Sequence, residues 1–515
     1  MLHQFFGATS NISTLGITLT FPDGAEATIF AEVGVVLGDV PALKEMISSK
    51  GHSGLVPCTC CTNVVHHKPQ GGGAPLSEHS DGIVSLADVD MWRADTRAFT
   101  KFKLHTDASL RALVQKLHDY KGVLPPEQFS LREKLFGFKY NPYNIIINPT
   151  LRVNVASSIM YDWAHVQVCD GVADVEFGLF MKELQSSRST ASYVEFRTYL
   201  EHWQLPKTSP SVAHLFTDKK VHNYLKNTTF SSTASEFLTL VPVLSRYMDA
   251  VVIPRGECVE ASLCFRAALK VLETLQAVKR GGVDPAQLAW EINDHFMRFI
   301  DTYGAFMVRP KHHYNCHLPE MLYRFKCLLS TLVHERKHRM VKKYTKNRVN
   351  KRSWEAGTIE DITCHGISEI SVPFMSAGKS SKPSRASLQL LHEHFIASGI
   401  VDACVEYTLH SEISAKHGRV RNGDVVLLTM GGELTAAEML ITAGFRTAGF
   451  RNNTDVKLYS IVQPFVARGG PSHSMQTYVV GRNAMTVPSS CILEPVACLF
   501  NKNRDVCSVY LPLVL

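Results

Sequence analysis

The chain has 515 residues, of which 45% are hydrophobic and 20% charged, a composition typical of folded proteins and unlike that of disordered ones. The length predicts about three domains. The sequence shows neither a run of roughly 20 apolar residues nor a secretory signal, so we expect no membrane partner. The 13 cysteines are then expected to be reduced, some as metal ligands, and the net charge of +7 is compatible with a polyanionic partner without requiring one.

The chain opens with strand-forming sequence. GITLTFP and AEATIFAEVGVVLG flank Asp23-Gly24, a dipeptide that suits a tight hairpin turn. The second segment leads into Gly38-Asp39, after which ALKEMISSKG predicts a short helix that ends at Gly51. A cysteine-rich loop follows this helix.

The rest of the chain is mainly helical and then mainly strand-forming. Apolar residues recur at helical spacing between residues 85 and 350, with one strand-like interruption, ASSIMYDWAHVQV. The polar segment SAGKSSKPSRAS indicates a linker, and the last hundred residues form short strand patterns typical of a small barrel or sandwich. We therefore divide the chain into regions 1–95, 96–352, 353–405 (the linker) and 406–515.

The cysteine-rich loop contains a candidate zinc site. Cys58 and Cys61 form a Cys-x-x-Cys pair, and two thiolates at this spacing can bind one tetrahedral zinc ion. The pair supplies two of the four ligands that such an ion needs. The other two can come from His66 and His67, close in sequence, or from Asp162 and His165, about a hundred residues later. The alternatives are an inert turn and a capping role for Asp162. A redox role for the pair is not favoured, because the sequence around it is not thioredoxin-like.

Two carboxylates stand out by position. Asp39 follows the apolar strand VGVVLG, where it can be a metal ligand at a strand end or the N-cap of the next helix. Glu335 is the one acidic residue in the stretch 321–352. It can equally be a surface residue that pairs with the cations around it.

A basic stretch follows Glu335. Such a density of cations attracts phosphate through counterion release, and a nuclear localisation signal or a solvated helix face are the alternatives. Its cations are Arg336, Lys337, Arg339, Lys342, Lys343, Lys346, Arg348, Lys351 and Arg352. Upstream, Lys311-His312-His313 and His317 can face phosphate or metal, or be structural.

Four motifs follow one another in a recognisable order. They are Gly38-Asp39-Val40-Pro41, Pro57-Cys58-x-x-Cys61-Thr62-Asn63, Asp162-x-x-His165 and His334-Glu335-Arg336-Lys337-His338. Together they resemble the catalytic region of RNase H-like (DDE) cut-and-paste transposases, above all CACTA-like elements and their Plavaka- and KDZ-like relatives. The resemblance spans residues 25–350.

The resemblance implies an α/β RNase H-like core with a large α-helical insertion, acting on DNA in the nucleus. It implies that Asp39 and Glu335 are catalytic ligands of magnesium, used in two-metal phosphoryl transfer. It also makes Asp162 and His165 the companions of Cys58 and Cys61 in a structural zinc site. Homo-oligomerisation is left open.

The first catalytic Asp of such enzymes belongs to a strand before the hairpin, and only a short segment precedes the hairpin here. Asp23, at the tip of the turn, is a poor substitute. We therefore expect an N-terminally truncated copy or an incomplete gene model, with an incomplete carboxylate set. The region from Arg421 to Leu493 weakly resembles small SH3-like or BAH-like barrels, which predicts a small all-β C-terminal domain.

The sequence leaves three functions open. The first is a transposase-derived enzyme for phosphoryl transfer on DNA, in which Asp39 and Glu335 converge on one side of a mixed sheet. The second is a transposon-derived, non-catalytic DNA- or chromatin-binding protein of the DDE transposase lineage, which the missing first carboxylate favours. The third is a zinc-stabilised protein-interaction module without a DNA role, in which the basic residues scatter over the surface instead of lining a groove beside Asp39.

Overall fold

The computed structural model describes residues 11–65, 92–94, 99–149, 151, 153–187, 192–228, 230–332, 345, 357–358, 360–364, 380–400, 405–447, 457–470 and 474–511. The chain forms two compact units. Unit 1 comprises Met1–Ala173 and Asp284–Leu332, and unit 2 comprises Asp174–Val283 and Val333–Leu515. The chain therefore leaves unit 1 for a largely helical excursion and then returns to it.

The helices lie in both units. In chain order they are α1 (Val40–Ile47), α2 (Asp107–Tyr120), α3 (Pro126–Phe136), α4 (Val155–Ser158), α5 (Trp163–Gln167), α6 (Val172–Ser186), α7 (Tyr193–Glu201), α8 (Asp218–Asn227), α9 (Ala234–Tyr247), α10 (Val259–Ala277), α11 (Pro285–Tyr303), α12 (Pro310–Asn315), α13 (Leu318–Phe325) and α14 (Arg385–Ala397).

The strands are short in unit 1 and longer in unit 2. In chain order they are β1 (Ile17–Thr20), β2 (Glu26–Ile29), β3 (Val36–Gly38), β4 (Val64–Val65), β5 (Trp92–Arg93), β6 (Ile159–Tyr161), β7 (Trp203–Gln204), β8 (Ser380–Ser381), β9 (Val405–His410), β10 (Glu412–Ala415), β11 (Gly418–Arg421), β12 (Val425–Met430), β13 (Glu433–Thr447), β14 (Lys457–Ala467), β15 (Met475–Val480), β16 (Met485–Pro488), β17 (Ile492–Pro495), β18 (Cys498–Phe500) and β19 (Val506–Tyr510).

Unit 1 contains the predicted hairpin and a pair of parallel strands. β1 and β2 pair antiparallel with Thr20 opposite Glu26, which confirms the turn at Asp23-Gly24. β3 is a separate strand that pairs in parallel with β6, so that Gly38 lies opposite Tyr161. Because carboxyl ends of parallel strands meet at one edge, the residues that follow these two strands are neighbours. Those residues are Asp39 and Asp162.

The segment predicted as one strand around Asp162 has a different structure. It contains the short helix α4, the three-residue strand β6 and then α5. The strand ends because the Asp162 carboxylate accepts hydrogen bonds from the backbone amides of Ala164 and His165 and caps α5. The local capping of the backbone therefore overrides the apolar pattern of the segment.

The helices of unit 2 pack around an aromatic core. Phe177 contacts the rings of Phe230 at 4.8 Å and Phe265 at 5.3 Å between centroids. One stretch in this region, Ala234–Arg255, is long and apolar enough to cross a membrane, and half of its most apolar window is buried inside the structure. Such burial among core aromatic residues is the packing of a core helix.

The C-terminal part of unit 2 is a large antiparallel sheet region. β12, β13, β14, β15, β19 and β18 pair in succession within an eleven-stranded sheet, and β7 from the helical part extends it beside β18. Inward-facing apolar residues of these strands form buried clusters. The structure therefore confirms the layout of a mixed α/β region followed by a β-rich region.

The range predicted as a linker contains regular structure. Within residues 353–405 the described residues form β8, which pairs with β9, and α14. Ser384 caps α14 by accepting a hydrogen bond from the amide of Ser387. Leu391 and Phe395 of this helix are fully buried against Tyr407 and Ile461, so α14 belongs to the β-rich region.

Candidate metal centre

Four side chains converge in the interior of unit 1. The ligand atoms of Cys58, Cys61, His313 and His317 all lie within 4.8 Å of one another, and all four residues are buried. The Nε2 atom of His317 lies 3.3 Å from Cys58 Sγ and 3.4 Å from Cys61 Sγ. The Nε2 atom of His313 lies 3.5 Å from Cys61 Sγ and 3.1 Å from His317 Nε2.

These distances fit a tetrahedral metal ion. A zinc ion bound at about 2.3 Å to sulfur and about 2.0 Å to nitrogen holds its ligand atoms roughly 3.3 to 3.8 Å apart. Four of the six distances between the ligand atoms are 3.1 to 3.5 Å, close to this spacing. Two thiolates with two imidazoles are also a donor set that zinc prefers. The group can therefore hold a metal ion, and its chemistry selects zinc before magnesium.

Backbone hydrogen bonds, within the loop and from a second segment, hold the cysteine loop. The amide of Cys60 points at Cys58 Sγ at 3.3 Å, a contact that stabilises a thiolate. The amide of His105 donates to the Cys60 carbonyl at 2.8 Å, and the amide of Thr62 donates to the Lys103 carbonyl at 2.8 Å. The segment around residue 104 therefore fixes the loop and its sulfur atoms.

His313 lies in α12, and His317 is the residue directly before α13. They are four residues apart, so they lie on the same side of a helical backbone. The hydroxyl of Tyr314, between them, donates to the Pro57 carbonyl at 3.0 Å. The helical turn and the cysteine loop are thus joined beside the four ligand atoms.

A tyrosine of β6 completes the surroundings of the sulfur atoms. The Tyr161 hydroxyl lies 3.4 Å from Cys58 Sγ, 3.2 Å from Thr59 Oγ1 and 3.5 Å from Cys60 Sγ. Burial raises the pKa of Tyr161 well above its ordinary value, so it stays a neutral hydrogen-bonding group. β6 therefore places a hydroxyl where it can orient the sulfur ligand, as outer partners do in metal sites.

Burial and mutual proximity shift the pKa values of the ligand groups in different directions. Burial and the neighbouring His317 lower the pKa of His313 well below its ordinary value, which keeps this imidazole neutral, as a metal ligand must be. Burial also raises the pKa of the Cys61 thiol. Burial lowers the pKa of His317, but the adjacent Cys58, together with Cys60 and Glu320, raises it to about 9 overall. A cation among the four atoms would hold both cysteines as thiolates.

Compared with known proteins, the chain matches no family model and no curated protein. The metal centre is therefore interpreted from its own geometry.

Asp162 and His165, predicted as zinc ligands, lie outside the group of four. They pair with each other, with His165 Nδ1 at 2.6 Å from Asp162 Oδ2. The same carboxylate accepts hydrogen bonds from the backbone amide and the hydroxyl of Thr331. Together with the two backbone amides of α5, these groups give the Asp162 carboxylate five hydrogen-bond donors. The carboxylate therefore connects the end of β6 with α5 and with Thr331, near the end of unit 1.

The Asp162–His165 pair predicts a pH dependence of stability. The hydrogen bond that the His165 ring donates to Asp162 raises the pKa of His165 from 6.5 to about 10. Although burial raises the pKa of Asp162, the bonds from His165 and Thr331 lower it below 3.8 overall. A raised histidine pKa contributes stability that is complete below pH about 6.5 and is lost as the pH rises to about 10. The lowered aspartate pKa contributes stability that is lost as the pH falls below about 3.8.

We therefore expect the difference in unfolding free energy between the wild type and His165→Gln to be constant between about pH 4 and 6.5 and to shrink at higher pH. Urea unfolding at a series of pH values, at constant zinc, measures this difference. NMR titration of the His165 ring gives its pKa directly. An ordinary pKa near 6.5 would contradict the pairing.

Asp39 caps a helix in the structure. Its carboxylate accepts a hydrogen bond of 2.7 Å from the amide of Ala42, and its backbone is extended, as at an N-cap. It nevertheless follows β3 at the position where Asp162 follows β6. Asp39 is therefore a helix N-cap, and it also lies at the strand end that suggested a metal ligand.

The remaining predicted residues lie outside the described residues. These are Glu335, Arg336, Lys337, Arg339, Lys342, Lys343, Lys346 and Arg348, together with the local zinc candidates His66 and His67. Their roles stay predictions from the sequence.

Proposed function

We propose that this protein is a zinc-stabilised, nucleic-acid-binding protein of the DDE transposase lineage, with an RNase H-like core and without a complete catalytic site. The observation that carries the proposal is the buried group of two cysteines and two histidines. The two pairs are about 250 residues apart in sequence, as the separation of 252 residues between Cys61 and His313 shows. A zinc ion there would be structural, since four protein ligands leave no open position.

The neighbourhood of the group supports the proposed lineage. β3 and β6 are parallel, and an aspartate follows each of them at the same edge. Thr331 is bonded to the second of these aspartates, and Glu335 follows Thr331 by four residues.

The described carboxylates do not fit a magnesium site. The five hydrogen bonds to Asp162 occupy its oxygen atoms, and one oxygen of Asp39 is used to cap α1. Magnesium at a phosphoryl-transfer site needs freely coordinating carboxylate oxygens. Among the described residues at this edge of the strands, Asp39 alone retains one. We therefore propose binding without strand cleavage.

The nucleic-acid partner is proposed from the basic stretch that follows Glu335. Its seven predicted contact residues lie within thirteen positions, from Arg336 to Arg348. Each cation that neutralises a phosphate releases counterions, which supplies affinity independent of base sequence. The β-rich region follows this stretch in the chain, and we infer it to be an SH3-like or BAH-like barrel module.

A triple variant tests the function. Lys342→Gln/Lys343→Gln/Lys346→Gln is expected to weaken binding to a fluorescein-labelled DNA duplex and to reduce the salt slope of the association constant by about three. Fluorescence anisotropy at several salt concentrations measures both quantities. The matched control, Lys219→Gln/Lys226→Gln/Lys502→Gln, removes the same charge from exposed positions.

Two outcomes would reject the proposed function. One is a wild-type protein that does not bind the duplex. The other is a triple variant with the same salt slope as its control, which would show that charge alone is responsible. Magnesium-dependent cleavage of the duplex that is lost in Asp39→Asn would instead favour an active transposase, the second candidate, whose support is the paired position of Asp39 and Asp162.

A further inference from the structure

Unit 2 contains an open cavity of about 260 Å³ that lies between its helical part and its β-rich part. The turn after α10 supplies Lys279 and Arg280, and the β10–β11 hairpin supplies His417 and Arg419. All of these residues belong to the same unit. The cavity uses none of the residues of the metal centre.

Cations outnumber carboxylates around this cavity. The cations in or next to its lining are Lys207, Lys279, Arg280, Lys416, Arg419 and Arg421. The carboxylates that contact this group are Glu412, Asp424 and Glu494. Lys207 and Lys416 have no carboxylate partner in the described part of unit 2. The surface of the cavity is thus basic even after its internal ion pairs are formed.

The carboxylate in the cavity lining, that of Glu494, is already neutralised. Arg280 binds Glu494 through two bonds of 2.7 Å, and the Glu494 side chain is 8% exposed. Lys279 lies 4.0 Å from the same carboxylate and is 54% exposed, so its ammonium group can reach a ligand. Partial burial lowers the pKa of Lys279, which means that this ammonium would gain from an additional anion.

The hairpin arranges further cations along one strand face. Arg419 and Arg421 alternate with the buried Val420 on β11, so both point outward about 7 Å apart. They share the single carboxylate of Glu412, at 3.3 Å and 2.8 Å. Cations repeated along a strand suit a ligand that carries several phosphates in a row better than one that carries a single charge.

We propose that this basic cavity binds phosphate groups, and that a nucleic-acid backbone supplies them. The choice of a nucleic acid rests on the proposed function, whereas the phosphate site rests on the cavity itself. The tip of the β10–β11 hairpin, with Lys416, His417 and Arg419, would lie on one side of the nucleic-acid backbone. Lys279 would lie on the other side. The site would add sequence-independent affinity to that of the stretch 336–348.

The test uses the full-length chain and the variant Lys416→Gln/Arg419→Gln. The control is Arg468→Gln/Lys502→Gln, which removes the same charge from exposed positions elsewhere in the β-rich region. One arm measures the rise in the temperature of unfolding caused by pyrophosphate at constant ionic strength. The other measures the affinity for a labelled DNA duplex, with a labelled polyglutamate peptide for comparison.

We expect the pyrophosphate shift to be lost in the cavity variant and kept in the control. We expect DNA binding to weaken roughly tenfold for each lost contact at about 0.1 M salt, with little change for the peptide. No pyrophosphate shift in the wild type, equal behaviour of both variants, or equal loss of peptide and DNA binding would overturn the inference. A shift that depends on the cavity in a protein that binds no DNA would support the phosphate site and reject the proposed function.

Discussion

A His317→Ala variant is expected to be purified without zinc and to lose about 5 kcal/mol or more of unfolding free energy. His317 is the ligand whose Nε2 approaches both cysteine sulfur atoms. Its loss leaves three ligands around a buried ion and opens a cavity in the interior. Zinc analysis of the purified protein and urea unfolding measure the two effects.

The control for this prediction is the cysteine between the two sulfur ligands. Cys60 is buried beside them, but it is not one of the four converging residues. The hydrogen bond with Cys58, together with burial, raises the pKa of the Cys60 thiol well above its ordinary value, so it stays protonated. We expect Cys60→Ser to keep one zinc per chain. Loss of zinc in Cys60→Ser with retention in His317→Ala would reject this ligand set.

An Asp162→Ala variant is expected to be destabilised by about 3 to 5 kcal/mol. The change removes the acceptor of five hydrogen bonds and leaves the His165 imidazolium without its partner. It also removes the cap of α5 and the tether of Thr331. Urea unfolding of the zinc-loaded protein measures the loss.

The matched control is the other aspartate at a strand end. Asp39 makes one capping bond, so we expect Asp39→Ala to cost only about 1 kcal/mol. Folded Asp162→Ala protein should still contain one zinc ion, because Asp162 is outside the group of four. Zinc loss from folded Asp162→Ala protein would show that Asp162 is a ligand, as the sequence suggested.

The sequence predicted two of the four ligands of the metal centre. For the other two ligands it indicated segments nearer to the cysteines than the segment that supplies them. A Cys-x-x-Cys pair in a tight turn is a local signal, and Cys58 and Cys61 are together in the structure. The partners come from a helical turn more than 250 residues away. A single sequence contains no signal that joins such segments, because only the folded backbone brings them together.

A usable signal for the second half was present in the sequence. His313 and His317 are four residues apart, a spacing that directs two side chains to one side of a helix. The sequence permits a metal, phosphate or structural role for them and contains nothing that links them to the cysteines. Asp162 and His165 show the opposite case: three residues apart, they bond to each other, so their spacing indicated a local pair.

The regular elements were easier to predict than the sites. The hairpin at Asp23-Gly24 and the strand Lys457–Ala467 follow from turn chemistry and apolar alternation. The helix α14 was missed because a polar, serine-rich segment precedes it and suggested a linker. That segment contains Ser384, which is the cap of the helix. Polar residues at a helix start therefore resemble a linker when the apolar face that follows is short.

X-ray absorption at the zinc edge of the purified wild-type protein is the most direct test of the metal centre. We expect one zinc ion per chain with two sulfur atoms at about 2.3 Å and two imidazole nitrogen atoms at about 2.0 Å. A carboxylate oxygen in place of one nitrogen would return Asp162 to the ligand set. A protein that contains no zinc, or zinc with fewer than two sulfur ligands, would contradict the account.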